Sequence, residues 1–285
     1  MAGGDNVTGP AEIRDRSTSR VCGRPSACPA KPIRIVILTE DEPLFTADAF
    51  RTFFDEIGQE AKTVLVIMAS FSPAGPKQDW RTTLMYFWRA FGTSAFLRVG
   101  LEYMRCRVHP KKRAASLLRR YGIPLVRTME CVNSNEVLSA VRGAQPDLIV
   151  SASVNSLFKP QFLCIAPCFN LHLSLLPRHK GLMPVFWALH DGDRETGATV
   201  FRVNSEIDGG EILVQKRVKI RERRLIPLYG ELKRIGMIAM AEAIRAFKPG
   251  ETGNLATGFA PAPLGSRKPG PEQLRRFISL GNRVI

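Results

Sequence analysis

Asn170 and His172 stand two residues apart in the stretch FNLHLSLLP, which runs from Phe169 to Pro177. Successive side chains on a strand point to opposite faces, so residues i and i+2 project together. A carboxamide and an imidazole thus leave one face of one strand, next to a turn that a proline closes. Asp208 follows in the stretch NSEIDGG, with Gly209 and Gly210 behind it. Such glycines let a backbone bend closely and take positive φ. An imidazole held by a carboxylate shuttles a proton near neutral pH. An amide NH2 beside it donates to an oxygen that gains negative charge. The three suit acyl transfer to an amine without a covalent enzyme intermediate. Ser174 is also two residues from His172, but no G-x-S-x-G elbow surrounds it, so no serine nucleophile is expected. Taken singly, each residue has a plainer reading: an asparagine bonded to backbone, a histidine satisfied in a strand, an aspartate in a turn. The joint pattern is what points to chemistry.

The elements that position these groups are read from hydrophobic periodicity. IRIVIL (33–38) and AKTVLVIM (61–68) are buried strands, with a helical period over 43–57 between them. Residues 111–121 are helical, 122–126 a short strand, and 134–142 a helix capped by Ser134 or Asn133. PDLIVSAS gives a strand from Asp147 to about Ala152, and CFNLHLS the next. A helix begins after Pro184. TGATVFRV and EILVQKRVKI are two strands joined by the segment that carries Asp208. Helices over 225–247 and 271–279 close the chain, around a Pro/Gly-rich stretch at 248–270. Strands alternating with helices predict an α/β fold, a mostly parallel sheet covered on both faces. Ligands then gather beyond the carboxyl ends of the strands, where Asn170 and His172 fall.

Composition narrows the partners. The chain has 285 residues, 45% hydrophobic and 24% charged, with a net charge of +15. That excess favours anionic ligands, but the basic residues are scattered and not interleaved with aromatics, so nucleic acid is the lesser reading. The six cysteines form no CxxC pair and no His/Cys cluster, so no metal site is expected. Cys164 and Cys168 are read as reduced, buried thiols, which fits a cytoplasmic setting. Residues 1–32 contain no apolar signal core and are read as a disordered leader. Residues 83–104 are the longest apolar stretch, but Arg89, Arg98 and Glu102 interrupt it, so no integral membrane segment is expected. Leu84, Phe87, Trp88, Phe91 and Ala95 recur at helical spacing and are read as a core face. A homodimer contact or docking at a membrane interface is the lesser reading of that stripe.

Residues 169–215 resemble the core of the folate-dependent formyltransferase family. The shared marks are N-x-H at Asn170 and His172, S-L-L-P at Ser174 to Pro177, then Gly181, Pro184 and Trp187. G-x-T at Gly197 and Thr199, the acid Asp208 before Gly210, and Gln215 in I-L-x-Q complete them. The likeness extends more weakly back to residue 33. It implies a Rossmann-like catalytic domain over 33–220, with an insertion at about 72–120 and a helical extension over 221–285. It implies 10-formyltetrahydrofolate as formyl donor and Asn170, His172 and Asp208 as the catalytic trio. Asn170 and His172 would stabilise the oxyanion, and Asp208 would assist His172. The donor's pterin would be cradled by the loop Ser151, Ala152, Ser153, Val154 and Asn155 and by Val203, Asn204 and Ile207.

Some positions depart from the family's pattern. Leu173 stands where many members have proline. TEDEPLF follows the first strand where glycinamide-ribonucleotide enzymes carry a glycine-rich phosphate loop, so phosphate there is disfavoured. The barrel that follows the catalytic domain in methionyl-tRNA enzymes has no counterpart in residues 221–285. The expected reaction is N-formylation of a primary amine on a small molecule, including phosphorylated or nucleotide-sugar acceptors. The alternatives are a shortened methionyl-tRNA formyltransferase-like enzyme acting on tRNA, a 10-formyltetrahydrofolate hydrolase, and a folate-fold binding module without catalysis.

Overall fold

β-Branched and aliphatic residues fill β1 (Ile33–Glu40) and β2 (Ala61–Ala69), whose centres are buried on both faces. That is the pattern of strands sandwiched between helical layers. The computed structural model describes residues 31–69, 80–109, 113–154, 156–250 and 268–285. Among them a seven-stranded sheet runs β3 (Leu125–Thr128), β2, β1, β4 (Leu148–Ala152), β5 (Cys168–His172), β6 (Glu195–Arg202), β7 (Ile212–Lys219). The first five strands are parallel, and β6 and β7 join antiparallel. The order reverses between β1 and β4, the switch point beside which ligands bind in open α/β sheets.

Alternation along β5 divides its side chains between two cores. Phe169, Leu171 and Leu173 enter the core on one face with Phe50, Phe53 and Leu232. That core is built by α1 (Thr46–Ile57), α3 (Ala114–Arg120) and α7 (Leu225–Ala246). Cys168 enters the second core with Val137, Val141 and Phe162. Those residues come from α4 (Asn135–Ala144) and the single turn α5 (Pro160–Leu163). Asn170 and His172 share the Cys168 face. α7 crosses behind β5 so closely that a Cβ on Gly236 would lie 2.6 Å from a Leu171 methyl. α6 (Pro184–His190) follows the loop after β5, and α8 (Pro271–Ser279) packs Phe277 against Phe186 at 4.8 Å.

Several expectations need correction. α2 (Trp80–Val108) does not bury one continuous stripe, because Gly92 (φ 78, ψ 166) breaks its helical path. Leu84 and Trp88 are exposed and Ala95 is half-buried, while the side chains of Phe87 and Phe91 lie outside the described residues. Cys164 is exposed, at the end of the short α5, and only Cys168 of that pair is buried. Leu173 is buried in the main core, where its aliphatic chain serves packing. The Ser134 cap of α4 forms as read, accepting from the Val137 N–H at 3.3 Å.

Candidate active site

His172 ends β5, with Asn170 two residues before it on the same face. The imidazole is buried and held through one nitrogen. Nε2 lies 2.8 Å from the His179 carbonyl oxygen, which only accepts, so Nε2 carries a hydrogen. Nδ1 faces Asp208 Oδ2 at 3.6 Å. Asp208 Oδ2 also accepts the Gly181 N–H at 2.7 Å. The Asn170 amide is half-buried and has no hydrogen-bond partner among the described residues. The strand therefore presents an open amide next to an oriented ring.

Two loops supply this orientation. The loop after β5 is pinned by Thr199 on β6, directly opposite His172 in the ladder. Its hydroxyl donates to the Ser174 carbonyl at 2.6 Å and accepts from the Leu176 N–H and from Gln215 Nε2 at 3.3 and 2.9 Å. One donor and two acceptors are thus all used. Gln215 also donates to the Leu176 carbonyl at 3.1 Å. Gly197 leaves room for the Lys216 carbonyl, which a Cβ would meet at 2.2 Å. The threonine and glutamine singled out in the sequence thus pin Ser174 and Leu176, where the loop that carries the His179 carbonyl and the Gly181 N–H begins. Ser174 is buried and its hydroxyl donates to the Arg178 carbonyl at 2.7 Å, so it is occupied structurally.

The loop between β6 and β7 carries Asp208. Positive φ falls on Asp208 itself, at 46°, while Gly210 serves a different need: a Cβ there would lie 1.7 Å from the Arg202 carbonyl oxygen. Asn204 closes the loop from within, accepting from the Glu206 N–H at 2.9 Å and donating to the Gly209 carbonyl at 3.4 Å. Its side chain is thereby taken up inside the loop. Val203 donates its N–H to the Cys168 carbonyl at 2.8 Å, and Ile207 is half-buried. From the other expected wall, Ser151 and Ala152 are buried in β4, with Ser151 paired to Asn170 across the ladder. Ser153 has φ 62, which turns the chain off the strand. Val154 and Val203 both pack against the core on the Cys168 face. Asn155 lies outside the described residues.

These observations accompany a match to the family described as formyl transferase over residues 33–226. The chain belongs to the formyl transferase family. The methionyl-tRNA formyltransferase of Kosmotoga olearia is 33% identical over 136 residues, covering 47% of this chain and 43% of that protein. The corresponding protein of Bradyrhizobium sp. is 36% identical over 136 residues, covering 46% and 43%. The matched stretch spans less than half of these curated relatives. Among solved structures, phosphoribosylglycinamide formyltransferase from Bacillus halodurans superposes with a TM-score of 0.53 at 18% identity, covering 79% of this chain and 100% of that one. A formyltetrahydrofolate deformylase from Pseudomonas syringae pv. tomato gives 0.51 at 21% identity, covering 76% and 61%. At those identities the likeness is one of fold.

A buried polar cluster escaped the sequence reading. Glu42, just beyond β1, pairs with Lys233 of α7 and accepts from the Tyr229 hydroxyl at 2.8 Å. Since that hydroxyl donates to Glu42, Ser153 donates to it in turn, at 3.5 Å. Burial pushes the Lys233 ammonium down to about 7, with the Glu40 carboxylate opposing, and pushes the Tyr229 phenol up to about 12. The cluster ties the loop after β4 to α7 and to the end of β1, across the switch point. The available sequence signal was Tyr229 and Lys233 four apart on a helix whose neighbouring turns are apolar. Lys233→Met leaves Glu42 buried without its cation and costs about 3–5 kcal/mol. Thermal unfolding should show the loss, and the double variant Glu42→Gln/Lys233→Met should recover part of it. Equal losses in both variants would contradict a coupled pair.

No helix among the described residues is long and apolar enough to cross a membrane, and no group of three or more candidate metal ligands occurs among them.

Proposed function

We propose that this chain is an N-formyltransferase that moves a formyl group from 10-formyltetrahydrofolate to a primary amine of a small molecule in a cytoplasmic setting. The carrying observation is the approach of Asp208 Oδ2 to His172 Nδ1 at 3.6 Å, with the Asn170 amide open on the same strand face. Val154 and Val203, packed on that same face, offer apolar side chains to a flat aromatic donor group lying against the strand end. Beyond the strand ladders, the Ser153–Val154 turn and the Asn204–Asp208 loop are the segments whose backbone would meet the donor's ring edge.

The division of labour follows from geometry. The Asn170 NH2 donates to the formyl oxygen as it gains charge during amine attack. The amine nitrogen bonds to the formyl carbon as that carbon's bond to the folate nitrogen breaks. The His172 ring, tethered through Nε2, takes the amine's proton at Nδ1, beside Asp208, and returns it to the departing folate nitrogen. Asp208 in turn is fixed by the Gly181 N–H, so the carboxylate approaches the ring from one direction.

The test is to supply the purified protein with 10-formyltetrahydrofolate and a panel of primary amines and to follow tetrahydrofolate release. Release that depends on an amine supports the reading. Release at the same rate with water alone would replace it by hydrolysis.

A second acceptor is favoured by a particular observation: the sequence relatives are methionyl-tRNA formyltransferases, and the net charge is +15. If tRNA is the acceptor, its binding weakens steeply as salt rises, because each phosphate contact releases a counterion. Salt-independent acceptor use would assign the reaction to a small molecule.

A further inference from the structure

The second half of α2 turns an apolar stripe toward solvent. Leu97, Leu101, Met104 and Val108 are 63%, 55%, 57% and 73% exposed. Their spacing of i, i+4, i+7 and i+11 puts them on one narrow face of a helix. Cys106 lies opposite and is buried, with Ala95, Val99 and Glu102 half-buried beside it. The helix thus already meets the protein with its other side. The same rotation sets Arg98 and Arg105 along one border of the exposed stripe and Arg107 along the other. Across the Gly92 break, Leu84, Met85 and Trp88 are also exposed. The whole of α2 carries five arginines and a single carboxylate, Glu102, which pairs with Arg105 at 3.5 Å.

We propose that this face of α2 rests on an anionic lipid surface. The apolar stripe enters the headgroup boundary, and the arginines reach sideways to phosphates, their stems lying along the apolar surface. Charge decides between occupants. A second copy of the chain would bring two arginine-bordered stripes together, with one already-paired glutamate per helix to answer them, and like charges facing across an interface oppose association. An anionic surface instead complements both borders and the net charge of +15. The helix lies on the surface and does not span it, which agrees with the absence of a crossing-length apolar helix among the described residues. The inference does not depend on the formyl-transfer reading.

The experiment is flotation of the full-length protein with phosphatidylcholine vesicles, with and without phosphatidylserine. Binding is expected to be about tenfold or more stronger on the anionic vesicles and to weaken with salt. Leu101→Asp combined with Met104→Asp should lower it about tenfold or more, with helix content by circular dichroism unchanged because both side chains are exposed. Arg98→Gln, Arg105→Gln and Arg107→Gln together should erase the preference for anionic vesicles. Three results would overturn the proposal. One is no binding to either vesicle. Another is anionic binding that survives the two aspartates, which would leave charge alone as the cause. The third is a concentration-dependent dimer in sedimentation that the aspartates abolish, which would assign the face to a second copy.

Discussion

His172→Ala lowers amine-dependent turnover by about 10²–10⁴-fold, the range that a positioned acid–base group contributes, while leaving affinity for the folate donor within about twofold. The argument rests on how the ring is held. Its Nε2–H is committed to the His179 carbonyl, so the nitrogen available for proton exchange is Nδ1. That nitrogen faces a carboxylate which is itself anchored by a backbone N–H. Alanine removes the proton-transfer group but leaves the Val154 and Val203 region, where the donor is proposed to lie, untouched. Single-turnover rates and donor titration by fluorescence separate the two quantities. A parallel fall in donor affinity would move His172 from proton transfer to donor binding.

Gly210→Ala is expected to have the second-largest effect, through position and not chemistry. A Cβ at 1.7 Å from the Arg202 carbonyl oxygen cannot be accommodated by a side-chain rotation, because the obstacle is backbone at the end of β6. The loop has to move, and Asp208 sits two residues away on it. A displacement of about 1 Å at a reacting group costs on the order of 10²-fold in rate. Gly143→Ala, in α4, makes the control: a Cβ there would meet nothing within 4 Å. Turnover of the two variants, with thermal unfolding of each, measures the difference. Gly210→Ala should be slow and Gly143→Ala near wild type. Equal rates would show that the loop's path does not set the position of Asp208.

Much of this site was legible because it obeys short-range rules. The i, i+2 alternation of β5 places Asn170 and His172 on one face whatever the rest of the fold does. Gly197, Thr199 and Gln215 were visible as a pattern, and the structure supplies their physical reason in the Thr199 hydrogen bonds and the Lys216 carbonyl. What stayed hidden depends on backbone or on distance. The His179 carbonyl and the Gly181 N–H orient the ring and the carboxylate without any side-chain signature. Glu42 and Lys233 are 191 residues apart in the chain, so no local period relates them. The two glycines after Asp208 invited a reading in terms of positive φ, yet Asp208 takes the left-handed conformation and Gly210 answers a close approach. Along α2, Leu84 and Trp88 of the stripe that reads as core are exposed, ahead of a break at Gly92 that the helical period does not announce.

The most direct test of the central claim is a double-mutant cycle on turnover with His172→Ala, Asp208→Ala and the pair combined. If Asp208 acts through the His172 ring, the double variant is no slower than His172→Ala alone, because the second change removes a partner whose target is already gone. If the two losses multiply, the carboxylate and the imidazole work separately, and the contact at 3.6 Å is not the basis of catalysis.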